Sequence, residues 1–209
     1  MKLINRGAYM DKLASAMGTP DIKVITGIRR CGKSKLLEAF ADHIRESNPS
    51  ANIIRINFNL LEFESLAEYH ALHDYVEQHF VEGCDNVVMI DEVQMCKGFE
   101  KTVNSLHASE KYDIYVTGSN AFLLSNDLST LFTGRTFEVE VFPFSLAEFA
   151  QYHEIASPDE ALARYLREGG MPGSYLYPNE RARYAYIADV LDTLVLRDVK
   201  QKYRIRNAE

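Results

Sequence analysis

The sequence predicts an α/β protein: a parallel β-sheet with helices on both faces, followed by a run of helices at the C-terminal end. Three observations predict it. Strand-like and helix-like segments alternate from Ile22 to Val141 at lengths that suit βαβ units. A glycine-bounded loop, Gly27 to Gly32, joins the first strand-like segment directly to a helix-like one. An unbroken apolar run, Val87-Val88-Met89-Ile90, ends in two adjacent carboxylates, Asp91 and Glu92. Four apolar residues in a row suit a strand buried on both faces of a parallel sheet.

Residues 1–21 read as a short helix and a turn at Gly18-Thr19-Pro20. The first strand spans about 22–27, with Lys23-Val24-Ile25-Thr26 at its centre. Leu36, Leu37 and Phe40 then fall on one helical face, and Asn48-Pro49-Ser50 breaks that helix. Ile53 to Phe58 is β-branched and strand-like. Leu66, Tyr69, Leu72, Tyr75 or Val76, and Phe80 recur at helical spacing, with Gly83 placed to cap them. The carboxylate-ended strand covers 86–91; Phe99, Val103 and Leu106 mark another helix. Tyr112 to Thr117 is a fourth strand, and a helix is expected from Phe122 to Leu131. Phe137, Val139 and Val141 alternate with Glu138 and Glu140, the pattern of a half-exposed edge strand.

After Pro143 only helices are expected. Ser145-Leu146-Ala147-Glu148 and Ser157-Pro158-Asp159-Glu160 both match the capping box, and Gly169-Gly170 ends the second of these helices. Asn179 caps a last helix, whose Tyr184, Ile187, Leu191 and Leu194 form one stripe, expected to pack on neighbouring helices or on another chain. The expected division is a core over residues 1–144 and a helical lid over 145–209.

The loop carries the chemistry. Gly27-Ile28-Arg29-Arg30-Cys31-Gly32-Lys33-Ser34 has the spacing of a phosphate-binding P-loop, or Walker A motif. Gly27 and Gly32 let the backbone curl so that successive N–H groups face one anion. Lys33 supplies a point charge for the β- and γ-phosphates, and Ser34 a hydroxyl for Mg²⁺. The backbone from Gly27 to Lys35 is the candidate nucleotide cradle, with the helix N-terminus behind it. Arg29 and Arg30 either help hold phosphate or form an exposed basic turn. Cys31 lies where Lys33 and a helix N-terminus favour thiolate, or is a small residue at a variable position. Asp91 and Glu92 belong at the strand's C-terminal end, the ligand edge of open α/β sheets. They read as a Walker B pair: Asp91 for Mg²⁺, Glu92 to polarise the attacking water.

Composition narrows the classes. With 46% apolar residues over 209 positions there is ample material for a core. No apolar run is long enough to span a membrane. Met1-Lys2-Leu3-Ile4-Asn5-Arg6 lacks an apolar signal region. Three unclustered cysteines suggest neither a disulfide framework nor a zinc site, and they fit a reducing cytoplasm. The histidines show no metal spacing supported by context. A net charge of −7 disfavours non-specific nucleic-acid binding by the whole surface. The exception is the basic run Arg197, Lys200, Lys202, Arg204 and Arg206, a solvated helix end or a partner contact.

The ordered set of motifs resembles the AAA-type P-loop ATPases, and more narrowly a group of prokaryotic members. It comprises the Gly27–Ser34 loop, Ile90-Asp91-Glu92-Val93-Gln94, Thr117-Gly118-Ser119, Gly134-Arg135, Pro143-Phe144-Ser145-Leu146-Ala147-Glu148-Phe149 and Gly169-Gly170-Met171-Pro172. The resemblance covers nearly the whole chain. It implies a P-loop NTPase sandwich with sheet order 5-1-4-3-2 and a helical lid. It also implies Mg²⁺-dependent ATP binding and hydrolysis, with ATP and ADP as ligands and a possible homo-oligomer. It implies Ser119 or Asn120 as the sensor-1 group that orients water, Arg135 as an arginine finger or sensor, and Tyr9 near the adenine. No clear sensor-2 arginine is seen; Arg164 and Arg167 are candidates by place alone. Members usually carry a further nuclease-like domain, and this chain stops where it would begin, as a truncated product would. Two functions compete: ATP hydrolysis coupled to conformational change, and a slow-hydrolysing switch controlling partner binding or oligomerisation. A small-molecule phosphotransferase is a third, for which the lid lacks an obvious acceptor site. A DNA or protein client is compatible with either of the first two.

Overall fold

The computed structural model describes residues 4–118, 131–132 and 134–194. Ser119, Asn120, nearly all of the helix expected at 122–131 and the basic C-terminal run lie outside the described residues. Five strands form one sheet: β1 (Ile22–Thr26), β2 (Asn52–Asn57), β3 (Asn86–Asp91), β4 (Tyr112–Thr117) and β5 (Thr136–Glu140). Their order is β2-β3-β4-β1-β5 and every pairing is parallel, the expected 5-1-4-3-2 read from the other edge.

Strand side chains alternate between faces, and each face carries its own core. On one face Ile22, Val24, Ile54, Val88, Ile90 and Val116 pack beneath α3 (Tyr69–Gln78) and α4 (Phe99–Ala108). On the other, Ile25, Met89, Tyr115 and Val139 meet α1 (Gly7–Ser15) and α2 (Lys33–Ser47), the latter through Leu36, Leu37 and Phe40. Burial on both faces is why these strands read as apolar runs. Lys23 breaks the run in β1. Its ammonium is fully buried, pairing with Asp113 at 2.5 Å and donating to the Thr19 carbonyl at 2.6 Å. The charge thus finds partners at the sheet edge opposite the glycine loop.

Beyond β5 come α5 (Leu146–His153), α6 (Pro158–Glu168) and α7 (Glu180–Thr193). Ser145 completes a capping box with Glu148, while Ser157 makes the forward half, accepting from the Glu160 N–H at 3.4 Å. Two expectations need correction. The helix expected from Leu66 begins at Tyr69, because Leu61–Leu66 winds as a 3₁₀ helix that still buries Leu66. Of the stripe expected on α7, Ile187 and Leu194 are half-buried while Tyr184 and Leu191 are exposed in this chain, and the helix's buried residue is Val190, outside the stripe. The apolar side chains of that helix do not gather on one face, so spacing alone does not select one. No helix among the described residues is long and apolar enough to cross a membrane.

Candidate functional site

β1 ends at Thr26 and the chain curls through residues 27–32 into α2, placing the loop at the C-terminal edge of the sheet. Gly27 is required by space: a Cβ there would lie 2.2 Å from the Val141 carbonyl oxygen. Gly32 adopts φ 107° at the N-cap of α2. Arg30, at φ 64°, is also left-handed, and Cys31 between them is not. Alternating hand of this kind turns successive N–H groups toward a common concavity, a nest for anions. Lys33 is buried, its ammonium donating to the carbonyls of Gly27 at 2.9 Å and Ile28 at 3.1 Å. Ser34 and Lys35 are exposed on the first turn of α2, and Lys35 pairs with Glu38 at 2.6 Å.

Asp91 ends β3 and is buried. Its Oδ1 accepts a hydrogen bond from Thr117 Oγ1 at 2.5 Å, but its buried Oδ2 has no partner. An orphaned carboxylate oxygen is costly unless something positive meets it. Asp91 and Ser34 line the same cleft of about 380 Å³, together with Asn57 and Arg55 of β2. Among the described residues no group of three or more His, Cys, Asp or Glu forms a metal cage. Mg²⁺ does not need one, since it binds through one or two carboxylates and substrate phosphates while keeping waters. The Ser34 hydroxyl and the free Asp91 oxygen fit such an ion.

Glu92 follows at φ 57°, a left-handed turn that swings its side chain away from the strand direction. Its N–H donates to Thr117 Oγ1 at 3.0 Å, and its carboxylate accepts from Gln94 Nε2. One threonine hydroxyl therefore ties both carboxylate residues to the end of β4. Thr117 is a site residue that sequence reasoning misses, because within Thr117-Gly118-Ser119 it assigns the polar role to the residues after the strand. Its signal is a polar residue closing a buried strand.

Sequence reasoning misses Arg6 as well. Its guanidinium lies against the loop, donating to the Cys31 carbonyl at 3.2 Å and the Phe142 carbonyl at 2.9 Å. It forms a bidentate pair with Glu148 at 2.7 and 3.1 Å and covers the Tyr9 ring at 4.4 Å. Tyr9 accepts a hydrogen bond from the Phe142 N–H at 3.2 Å. Arg6, Gly32, Leu36, Ala39, Phe144 and Pro172 help line a second cleft, of about 430 Å³, on the other side of α2. Burial pushes the Cys31 thiol up, outweighing the pull of Lys33 and Arg6, and the side chain packs in the core beneath α2.

Burial also raises the Glu148 carboxyl, but hydrogen bonds from Arg6 and Ser145 outweigh it and hold it below the ordinary range. A depressed folded-state pKa gives stability that is present above the unfolded value, about 4.3, and is lost as pH falls through the folded value. Glu148→Gln should therefore cost about 2 kcal/mol at pH 7, chiefly by leaving Arg6 without its counter-charge. Urea denaturation should show the difference from wild type shrinking once the pH drops below about 4. A constant difference across that window would mean the charge on Glu148 is not what stabilises.

Arg135 does not join this constellation. It precedes β5, and its carbonyl accepts from the Ile22 N–H at 3.0 Å, level with the start of β1. With strands rising about 3.3 Å per residue, a full strand length separates it from the loop in its own chain. Ser119 and Asn120 lie outside the described residues. Arg164 and Arg183 both pair with Glu168, and Arg164 does so at 3.1 Å.

A family model described as an AAA domain matches residues 19–150, and one described as a domain of unknown function (DUF8612) matches residues 159–209. The chain is 31% identical over 211 residues to an uncharacterized protein of Haemophilus influenzae, covering 98% of this chain and 52% of that protein. It is 28% identical over 218 residues to an uncharacterized protein of Methanocaldococcus jannaschii, covering 99% of this chain and 47% of that one. The chain thus spans about half the length of both relatives. In fold it is similar to the Walker-type ATPase of Pyrococcus abyssi, with a TM-score of 0.57, 20% identity, and coverage of 97% of this chain and 76% of that structure. The AAA match spans most of the chain and contains the glycine loop, both carboxylates and Thr117: the chain belongs to the AAA domain family of P-loop nucleotide-binding proteins.

Proposed function

We propose that the chain binds ATP with Mg²⁺ and hydrolyses it, coupling turnover to a change in the arrangement of its helices. The observation that carries this reading is the buried, partnerless oxygen of Asp91, a residue that lines one cleft together with Ser34. In this reading the backbone from Gly27 to Lys35 cradles the phosphates, with Lys33 leaving the loop carbonyls for phosphate oxygens. Ser34 and Asp91 hold Mg²⁺, which supplies charge neutralisation at the phosphates when bound. Glu92 orients water and accepts its proton. Thr117 fixes the positions of both carboxylate residues. In the same reading the base packs on the apolar part of the 430 Å³ cleft, Met10, Leu36, Ala39 and Phe144. Residues 1–144 act as the core and 145–209 as a lid. The wider motif set, through Gly169-Gly170-Met171-Pro172, supports the narrower prokaryotic family.

The experiment is a titration of ATP in the presence of Mg²⁺ with wild-type protein and Lys33→Ala. Losing one charge-assisted phosphate contact, about 2 kcal/mol, should weaken binding about 30-fold or more while the melting temperature without nucleotide stays close to wild type. Equal affinity in a folded variant removes the site assignment. The hydrogen bond from Gln94 onto the Glu92 carboxylate favours a second reading, in which turnover is slow until a partner frees Glu92. Steady-state turnover by the isolated chain separates the two.

A further inference from the structure

One side chain of α7 reaches the glycine loop. The Arg30 guanidinium lies 5.0 Å from the centroid of the Tyr186 ring. The ring is seated for this. A Cβ on Gly173 would come within 2.0 Å of the Tyr186 hydroxyl, so glycine there is what lets the ring approach. Tyr177 packs on the ring at 5.2 Å. Arg30 is held toward it by a left-handed backbone that few non-glycine residues adopt. A guanidinium resting on a ring keeps its N–H donors for other acceptors. Arg30 itself belongs to the loop whose backbone forms the anion nest. The contact also joins two separately matched regions, since Arg30 lies within residues 19–150 and Tyr186 within 159–209.

We propose that Arg30 and Tyr186 form a phosphate-responsive tie between the loop and α7. Resting on the nucleotide reading above, the tie works by competition. With triphosphate in the loop, Arg30 turns from the ring to a phosphate oxygen, because a charge-assisted contact to phosphate outweighs a half-exposed cation–π contact. Tyr186, a positioning residue acting through Arg30, then no longer ties α7 to the loop, while Arg183 still pairs with Glu168 of α6. The second link from the loop to the helices, Arg6 with Glu148 and the Cys31 carbonyl, involves neither residue. Release is therefore confined to α7, and α5 stays in place.

Hydrogen exchange with and without a non-hydrolysable ATP analogue and Mg²⁺ tests this. In wild type, exchange over residues 180–193 should rise several-fold on binding while 146–153 is unchanged. Tyr186→Leu should raise exchange over 180–193 without nucleotide and show no further rise with it. It should also bind the analogue about two- to five-fold more tightly, because the tie no longer has to be broken. Tyr186→Phe keeps the ring and should behave as wild type. Damaged packing alone would not tighten binding. Wild type that binds the analogue with α7 exchange unchanged or lowered overturns the tie, as does Tyr186→Leu that binds no more tightly. Wild type that fails to bind at all overturns the nucleotide reading instead, and the tie with it.

Discussion

Glu92→Gln is expected to leave ATP bound at near wild-type affinity and to slow turnover by about 10²- to 10⁴-fold, the usual contribution of a positioned general base. The substitution is nearly isosteric. The backbone N–H at position 92 still donates to Thr117 Oγ1, and the new amide oxygen still accepts from Gln94. What disappears is the negative charge that orients water and receives its proton. Asp91→Asn should act differently. The new amide would keep an oxygen for the Thr117 hydroxyl, but the partnerless Oδ2 is replaced or rotated. The concentration of Mg²⁺ needed for half-maximal turnover should rise, while saturating Mg²⁺ restores much of the rate. Turnover and nucleotide affinity measured on both variants distinguish these roles. If Glu92→Gln hydrolyses ATP at the wild-type rate, Glu92 is not the base.

The parts of this site that are legible in the sequence are those whose geometry is local. Gly27 to Ser34 is one contiguous loop between a strand and a helix, and each fixed residue is there for a backbone or phosphate reason expressed within eight positions. Asp91 and Glu92 are legible because carboxylates are almost never buried unpaired, which places two adjacent ones after an apolar run at the strand's end. The sheet order follows from the resemblance, since alternation predicts a parallel sheet but not which strands are neighbours. Arg6 is illegible for the opposite reason. Its partner Glu148 is 142 positions away, and nothing near an N-terminal arginine says which distant carboxylate will meet it. Tyr186 is hidden by a helix whose apolar side chains do not gather on one face. Only Gly173, which reads as a simple turn, marks where its ring is received. Thr117 is hidden by the strand assignment itself: a β-branched residue at a strand end satisfies the strand pattern before its hydroxyl is considered.

Arg135→Ala is expected to bind ATP normally and to turn it over about 10³-fold more slowly, the scale of an arginine finger. The geometry sets the condition for this. Thr136 pairs with Ile22 at the start of β1, whereas the glycine loop follows Thr26 at the strand's other end. Arg135 is exposed at that far edge, so it has no route to the phosphates of its own chain. If it neutralises charge on the transferred phosphoryl group, it does so in a second copy of the protein. Specific activity should then rise with protein concentration, because the finger arrives only on assembly. Mixing two inactive variants gives the decisive measurement. Arg135→Ala supplies an intact site without a finger, and Lys33→Ala supplies a finger without a working site. Together they should recover a measurable fraction of wild-type turnover that neither shows alone. Turnover that is independent of concentration, with no recovery on mixing, would leave Arg135 as a surface charge at the base of the sheet, and the chain would carry out whatever hydrolysis it performs as a monomer.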